Sequence, residues 1–375
     1  MLNFKEFKTG KITMLLALVI LLTSCKKSSR KEEITVSPAT EKQSPFKVEY
    51  NSFFNPPSYF PPPVYDFTQN PLTAEKIELG KMLFYDPILS GDSTIACSNC
   101  HQPFGAFSNV AHSVSHGIRN QNGIRNIPGL FNLAWMPDYM LDGGIAHLDI
   151  QSIAPIENSV EMGSNLPNVL KALNKNKAYK RLFKITWNVE EIGSEHFLKS
   201  LTQFMLTIIS SNSKYDMYKQ GKVSLSANES EGLQLVQQKC SGCHGGELFT
   251  DFAIRNIGLD STAGNTSDLG KENITGRKSD RRKFRTPSLR NFSLSYPYFH
   301  NSTAYSLSAV LERHDSLVNI SPNLDPLLQT NGKTGIPVSP EEMSKIFAFL
   351  KTLNDNTIST NPAYTSPLYQ YVSDH

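Results

Sequence analysis

The sequence predicts a mainly α-helical protein with long irregular loops, organised as two domains of ordinary size behind an N-terminal leader. Three observations lead there. At 375 residues the chain is longer than one compact core usually serves. Its apolar residues recur at helical spacing, and the stretches between them carry Gly, Asn and Pro without the alternation of a half-buried strand. A helical stretch leading into a Cys-x-x-Cys-His cluster also occurs twice, in 79–101 (LGKMLFYDPILSGDSTIACSNCH) and 232–244 (GLQLVQQKCSGCH), with the clusters 143 positions apart (240 minus 97). One domain per cluster follows, 71–222 and 223–360, with a tail at 361–375.

The leader comes first in the chain. Lys5, Lys8 and Lys11 precede an apolar run from Ile12 to Leu22 that ends in Leu22-Thr23-Ser24-Cys25. Such a run of about eleven residues is short for a membrane-spanning helix, which needs roughly 20, and it reads as a signal peptide over 1–24. Small residues before a cysteine resemble a bacterial lipobox. This implies lipidation at Cys25, membrane contact through that lipid alone, and a place in the bacterial periplasm or cell envelope. A plain signal peptide with an incidental cysteine is the alternative.

Residues 25–70 begin as a Lys- and Ser-rich tether and become an arm rich in Pro and aromatics, including Phe53, Phe54, Tyr59, Phe60 and Pro61 to Pro63. Regular helix and central strand are both excluded there, so an extended arm across the folded body is expected. Helix is expected from Thr73, where Ile77, Leu79, Met82 and Leu83 share a face and Glu75 lies in the first turn. Further helices are expected at 165–184, 195–218, 227–240, 305–314 and 340–353. Loops as long as those between them need an organiser, and a large apolar cofactor in each domain supplies one.

Composition excludes several classes. With 39% hydrophobic and 19% charged residues the chain is neither fibrous nor wholly disordered. A net charge of +3 carries no signature of nucleic-acid binding. Of five cysteines, Cys25 belongs to the leader and four to the clusters, which leaves none for a disulfide framework.

The clusters carry the chemistry. Cys97-Ser98-Asn99-Cys100-His101 and Cys240-Ser241-Gly242-Cys243-His244 match the pattern for c-type haem attachment. Two thiols on one helical turn form thioethers to one porphyrin, and the adjacent imidazole reaches the iron. Two covalently bound haem c groups are therefore expected. Zinc knuckles or redox dithiols, the alternatives, leave the histidine in both clusters unexplained. Whether each iron only carries electrons or also admits a substrate depends on its second axial ligand. The remaining histidines are His112, His116, His147, His196, His300, His314 and His375.

From about Thr73 to Leu353 the sequence resembles the bacterial dihaem cytochrome c peroxidase family, which includes the dihaem maturase of tryptophan tryptophylquinone. The resemblance rests on LGKMLFYDPILSGDSTIACSNCH (79–101), SVSHG (113–117), IRNIPGLFN (124–132), LDGG (141–144), IAPIENSVEMG (153–163), the second cluster, FRTPSLRN (284–291), PYFHN (297–301) and SLSAVLERH (306–314). It implies two cytochrome c-like haem domains with the haems near their interface. It also implies reduction of hydrogen peroxide at the N-terminal haem, by electrons from a small redox protein through the C-terminal haem. An oxidase or maturase acting on another protein is the first alternative, and a non-enzymatic dihaem electron carrier is the second. A homodimer is among the states the resemblance admits.

Site residues follow by the same resemblance. The distal ligand of the N-terminal haem, released once the other haem is reduced, matches His116 before Gly117, with His112 as its rival. The acid/base glutamate matches Glu161 between Val160 and Met162, with Glu157 as the alternative. Seven positions beyond Leu307, where peroxidases carry methionine and the maturase branch tyrosine, stands His314. This suggests a bis-histidine second haem, with Met343 or a helix-terminal histidine of no ligand role as alternatives. The usual inter-haem tryptophan is replaced by Leu141 in Met140-Leu141-Asp142-Gly143, and Trp135 is not assumed to take its place. A calcium ion between the domains is expected at Asn126 with carbonyls near Thr286. Arg281, Arg282, Lys283 and Arg285 form a solvated face, a dock for an acidic redox partner, or contacts to haem propionates. His300 is expected to stabilise its loop, and His147, His196 and His375 carry no signal.

Overall fold

Helix α1 (Ala74–Tyr85) starts where Thr73, held extended, accepts the Lys76 amide on its side chain. The computed structural model describes residues 53–110, 112–259, 268–330 and 332–367, and these are mainly helical. The expected signal peptide, Cys25, the tether and His375 lie outside the described residues. After α1 come the one-turn helix α2 (Cys97–Cys100), α3 (Ile153–Glu157), α4 (Leu166–Lys175), α5 (Lys177–Trp187), α6 (Ser194–Leu206) and α7 (Lys214–Lys219). The C-terminal part adds α8 (Ala227–Lys239), α9 (Ser241–His244), α10 (Glu272–Thr275), α11 (Leu307–Asp315), α12 (Pro340–Lys351) and α13 (Thr357–Thr360). Strand is confined to two short antiparallel pairs, and one of them joins β1 (Ile254–Arg255) to β2 (Phe284–Arg285).

Two expected helices are broken by caps. The stretch 165–184 divides at Asn176, whose side chain accepts the amides of Ala178 and Tyr179 and starts a new helix. The stretch 195–218 ends at Leu206 and restarts at Lys214, because Ser213 and Asp216 form a capping box there. Hydrophobic periodicity runs across both breaks, which is why it reads as continuous helix.

Two apolar clusters form among the described residues. In the first, α1 packs along α6, and Phe84, Phe107 and Phe204 meet edge to face or tilted at 5.2 to 6.2 Å. In the second, α8 packs along α12, and Tyr215, Phe249 and Phe349 meet at 5.2 to 5.8 Å. Each helix pair crosses at a glycine. A Cβ on Gly80 would fall 1.9 Å from the Ser200 carbonyl oxygen, and one on Gly232 would fall 2.0 Å from that of Lys345.

The Pro- and aromatic-rich arm is packed as expected. The Val64 and Tyr65 amides both donate to the Ala134 carbonyl at 2.8 and 2.9 Å, and the Trp135 indole donates to Pro61 at 2.6 Å. Phe54 stacks on Trp135, while Phe60 lies beneath the Arg290 guanidinium. Trp135 is thus fully employed in holding the arm.

Candidate active site

A cavity of about 850 Å³ opens between these elements, and both Cys-x-x-Cys-His clusters contribute to its wall. Burial makes both motif histidines poor bases, with the pKa values of His101 and His244 each lowered to about 4. Their environments are the same by construction. The His101 Nδ1–H donates to the Phe107 carbonyl at 2.8 Å, and the His244 Nδ1–H donates to that of Phe249 at 3.3 Å. Both phenylalanines stand at positive φ, +59° and +52°, which turns each carbonyl toward its histidine while each ring stays in its core. With Nδ1 committed, Nε2 is the nitrogen left for a metal.

A second repeat completes the cradle. Pro128-Gly129-Leu130-Phe131-Asn132 and Pro287-Ser288-Leu289-Arg290-Asn291 share the pattern Pro-x-Leu-x-Asn at an offset of 159 positions (291 minus 132). Asn132 and Asn291 both adopt the left-handed conformation. Each side-chain oxygen takes an amide from the segment after the long helix of its half, Ser210 for Asn132 and Asp355 for Asn291. At the same offset, Tyr139 bridges Ile145 as Tyr298 bridges Ala304. Leu141 therefore corresponds to His300. This pattern was open to sequence reading and was overlooked because its two copies share few identities.

The four cysteines are unpaired, and burial raises the pKa of Cys97 to about 12 and those of Cys100 and Cys240 to about 11. Among the described residues no three His, Cys, Asp or Glu side chains converge as a bare metal ion requires. Free thiols on one turn, a half-buried imidazole oriented through Nδ1 and a large apolar cavity all fit a covalently held haem.

Glu161 lines the cavity, and burial raises its pKa above the ordinary glutamate value, against the lowering effects of an Asn158 hydrogen bond and the Arg125 charge. Cys100 lines the same cavity, and its pKa is raised first by burial and then by the Glu161 charge. Glu157 is exposed and absent from the wall. His116 and His112 are both exposed, their rings 5.4 Å apart, and neither lines the cavity, although Ser115 and Gly117 on either side of His116 do. The loop is pressed onto the glutamate segment: Ile118 N donates to Glu161 O at 2.8 Å, and a Cβ on Gly117 would lie 2.1 Å from the Val160 carbonyl oxygen.

At the second cluster His314 lines the cavity, with its Nδ1–H on the Val310 carbonyl at 2.8 Å. It stands near enough to His244 to lower that residue's pKa. Met343 is not part of the wall. Asn126 also lines the cavity, but its companions differ from expectation. Its amide nitrogen meets the carbonyls of Pro297 and Phe299 at 2.6 and 3.0 Å, whereas the Thr286 carbonyl is taken by Thr250 Oγ1 at 2.7 Å.

The basic stretch does not act as one face. Arg281 is exposed and Lys283 pairs with Asp280, while Arg282 and Arg285 line the cavity and Arg285 is buried on Asp138. Sequence reading missed Arg125, which bonds Asp142 and Asp268 and lies 5.5 Å from the Phe284 ring centre. Phe284 stacks face to face on His300 at 3.7 Å.

A profile of the di-haem cytochrome c peroxidases matches residues 74–224. The chain is 33% identical to the methylamine utilization protein MauG of Methylorubrum extorquens, over 76% of this chain and 79% of that protein. The chain belongs to the di-haem cytochrome c peroxidase family. It is also 31% identical to the cytochrome c551 peroxidase of Nitrosomonas europaea, over 76% of this chain and 81% of that one. Among solved structures it is similar to a MauG-like protein associated with microbial copper homeostasis, with a TM-score of 0.74, 28% identity, and coverage of 83% of this chain and 98% of that one. The diheme peroxidase BthA of Burkholderia thailandensis shares the fold at a TM-score of 0.68 and 19% identity. Haem c is the cofactor that this membership implies, and peroxidase or oxidase chemistry is the activity that fits it.

Proposed function

We propose that this chain reduces hydrogen peroxide to two molecules of water, with two electrons arriving one at a time from a small redox protein through the C-terminal haem. The carrying observation is Glu161, a desolvated carboxyl in the wall of the cavity that Cys97, Cys100 and His101 also line. Cys97, Cys100 and His101 hold the N-terminal haem, and Cys240, Cys243 and His244 hold the other. Haem bound there supplies an iron that takes up peroxide and passes it electrons. Glu161 accepts the proton from one peroxide oxygen and returns it to the oxygen that leaves as water. Its raised pKa brings the carboxyl nearer the working range of such a shuttle.

His116 is the releasable ligand in this reading. Its neighbours Ser115 and Gly117 already form the wall, so turning the one residue between them carries the imidazole from solvent into the cavity. His314, close to His244, is the second ligand of the C-terminal haem. A calcium ion here would require the Asn126 amide to turn, because its nitrogen now faces the carbonyls of Pro297 and Phe299 and its oxygen accepts the Ile127 amide; once turned, it offers that ion oxygen donors of the kind it prefers. A lipid on Cys25 keeps the protein in the bacterial cell envelope, a reading supported by Leu22-Thr23-Ser24-Cys25.

Oxidation of another protein is the second reading, and similarity to MauG favours it. The test is peroxide consumption by the haem-loaded protein, after reduction of one haem, with an artificial reductant, while the optical spectrum is followed. Consumption with a spectral change at the N-terminal haem is expected. A half-reduced spectrum unaltered by peroxide would leave only the electron-carrier reading.

A further inference from the structure

Of the two tyrosines in the cavity wall, Tyr139 and Tyr298, the first is within reach of the charge of Asp149. Tyr139 is buried, with its hydroxyl on the Leu133 carbonyl at 3.2 Å and the Asp149 charge close by. On the other side of Asp149 lies Tyr65, also buried, whose hydroxyl donates to Asp149 Oδ1 at 2.8 Å. The two phenols are near enough for the charge of one to act on the other. Asp149 has no lysine or arginine partner among the described residues, and the neighbouring His147 accepts the Asp149 amide on its Nδ1 at 3.2 Å. By contrast Tyr59 donates to Asp216, a carboxylate already committed to Arg290. Beyond Tyr65 the surface begins at once, with Val64, His147 and Ile150 all exposed.

A phenol gives up an electron readily only when its proton has somewhere to go, because the alternative is a buried radical cation. A carboxylate at hydrogen-bond distance with no fixed counter-cation is such an acceptor for Tyr65, whereas Tyr139, with its hydroxyl on a backbone carbonyl, keeps its proton and serves only as a bridge for the electron. We infer that Tyr139, Asp149 and Tyr65 form a redox-active chain by which oxidising equivalents leave the N-terminal haem site toward the surface, with Tyr65 as the residue that comes to rest oxidised. This rests on the peroxidase reading, since the oxidant is the pair of equivalents that peroxide leaves on the haem-loaded protein. In the step, Tyr65 loses one electron through Tyr139 to the haem site and its phenolic proton to Asp149, becoming a neutral phenoxyl radical beside a carboxylic acid. One of the two equivalents is thereby filled. The other is filled from the C-terminal haem, and one electron from an oxidisable protein at the Val64–Ile150 face, with the proton returned from Asp149, restores Tyr65. The arm thus gives the N-terminal site an outlet separate from the C-terminal haem where electrons enter.

The experiment adds one equivalent of peroxide to the haem-loaded, half-reduced protein, freezes it and records the electron paramagnetic resonance spectrum, with ring-deuterated tyrosine identifying the radical. A tyrosyl signal is expected in wild type, lost in Tyr65→Phe and diminished in Tyr139→Phe and Asp149→Asn, with the haem spectra before peroxide the same in every variant. Peroxide consumed without a tyrosyl signal, or a signal that survives Tyr65→Phe unaltered, would overturn the inference and leave the peroxidase reading intact. Failure of wild type to consume peroxide would overturn both. Should Tyr65→Phe fold poorly, fluorotyrosine at position 65 keeps the contacts, and an unaltered hyperfine pattern there would refute the assignment.

Discussion

Replacing Asp216 by Asn should be among the most costly single changes in this protein. Asp216 and Arg290 are both fully buried and bonded through two contacts of 2.9 Å, and Asp216 also takes the Ser213 amide and hydroxyl and the Tyr59 hydroxyl. Arg290 reaches on to the Glu247 carbonyl and lies over Phe60, so the pair ties the arm to α7 and to the second haem cradle. Asparagine keeps the shape but leaves a guanidinium uncompensated in the interior, which costs about 3–5 kcal/mol. Against a total stability on the order of 5–15 kcal/mol that is a large fraction. Denaturant unfolding of the haem-loaded protein, followed by far-ultraviolet circular dichroism, measures it. A loss within about 1 kcal/mol, as for an exposed pair, would refute the reasoning. The pH dependence has a definite sign: these donors hold the Asp216 pKa below its ordinary value, so the contribution is complete above that value and fades as pH falls through the lowered one.

Changing Cys97 and Cys100 to Ala should leave one covalent haem by intact-protein mass, and so should changing Cys240 and Cys243; two haems retained in either variant would remove the attachment assignment. His314→Met should raise the potential of the C-terminal haem, read by redox titration, because a thioether favours the ferrous state relative to imidazole. An unchanged potential would argue against His314 as ligand. The rate of peroxide turnover should fall on acidification through a pKa above the ordinary glutamate value, because Glu161 must be ionised to accept a proton and burial raises its pKa. In Glu161→Gln that limb should be absent.

Much of the fold was legible because helix starts are written locally: Thr73, Ser226 and Ser339 cap the helices expected after them, while Ser306 delays to Leu307 the helix expected at 305–314. The breaks at Asn176 and Leu206 were not, since apolar spacing continues through them and only side-chain hydrogen bonds end the helix. At the site, Cys-x-x-Cys-His is readable because covalent chemistry fixes spacing along the chain. The rest of the cradle depends on spacing in space. Arg125 meets Asp268 across 143 positions, and Asn126 meets Pro297 rather than the neighbourhood of Thr286. Leu141 is informative in a different way. Its repeat counterpart, His300, stacks on Phe284 at the cavity wall, a pairing that no sequence spacing announces.

Glu161→Gln tests the central claim most directly. The amide matches the carboxyl in size but cannot accept and return a proton. Steady-state peroxide consumption is measured with an artificial reductant after reduction of the C-terminal haem, with Glu157→Gln as the control because that side chain is exposed and outside the cavity. The predicted result is a fall of roughly 10²–10⁴ for Glu161→Gln, the usual contribution of a positioned acid/base, with both haem spectra intact and Glu157→Gln at the wild-type rate. Wild-type turnover in Glu161→Gln would contradict the account.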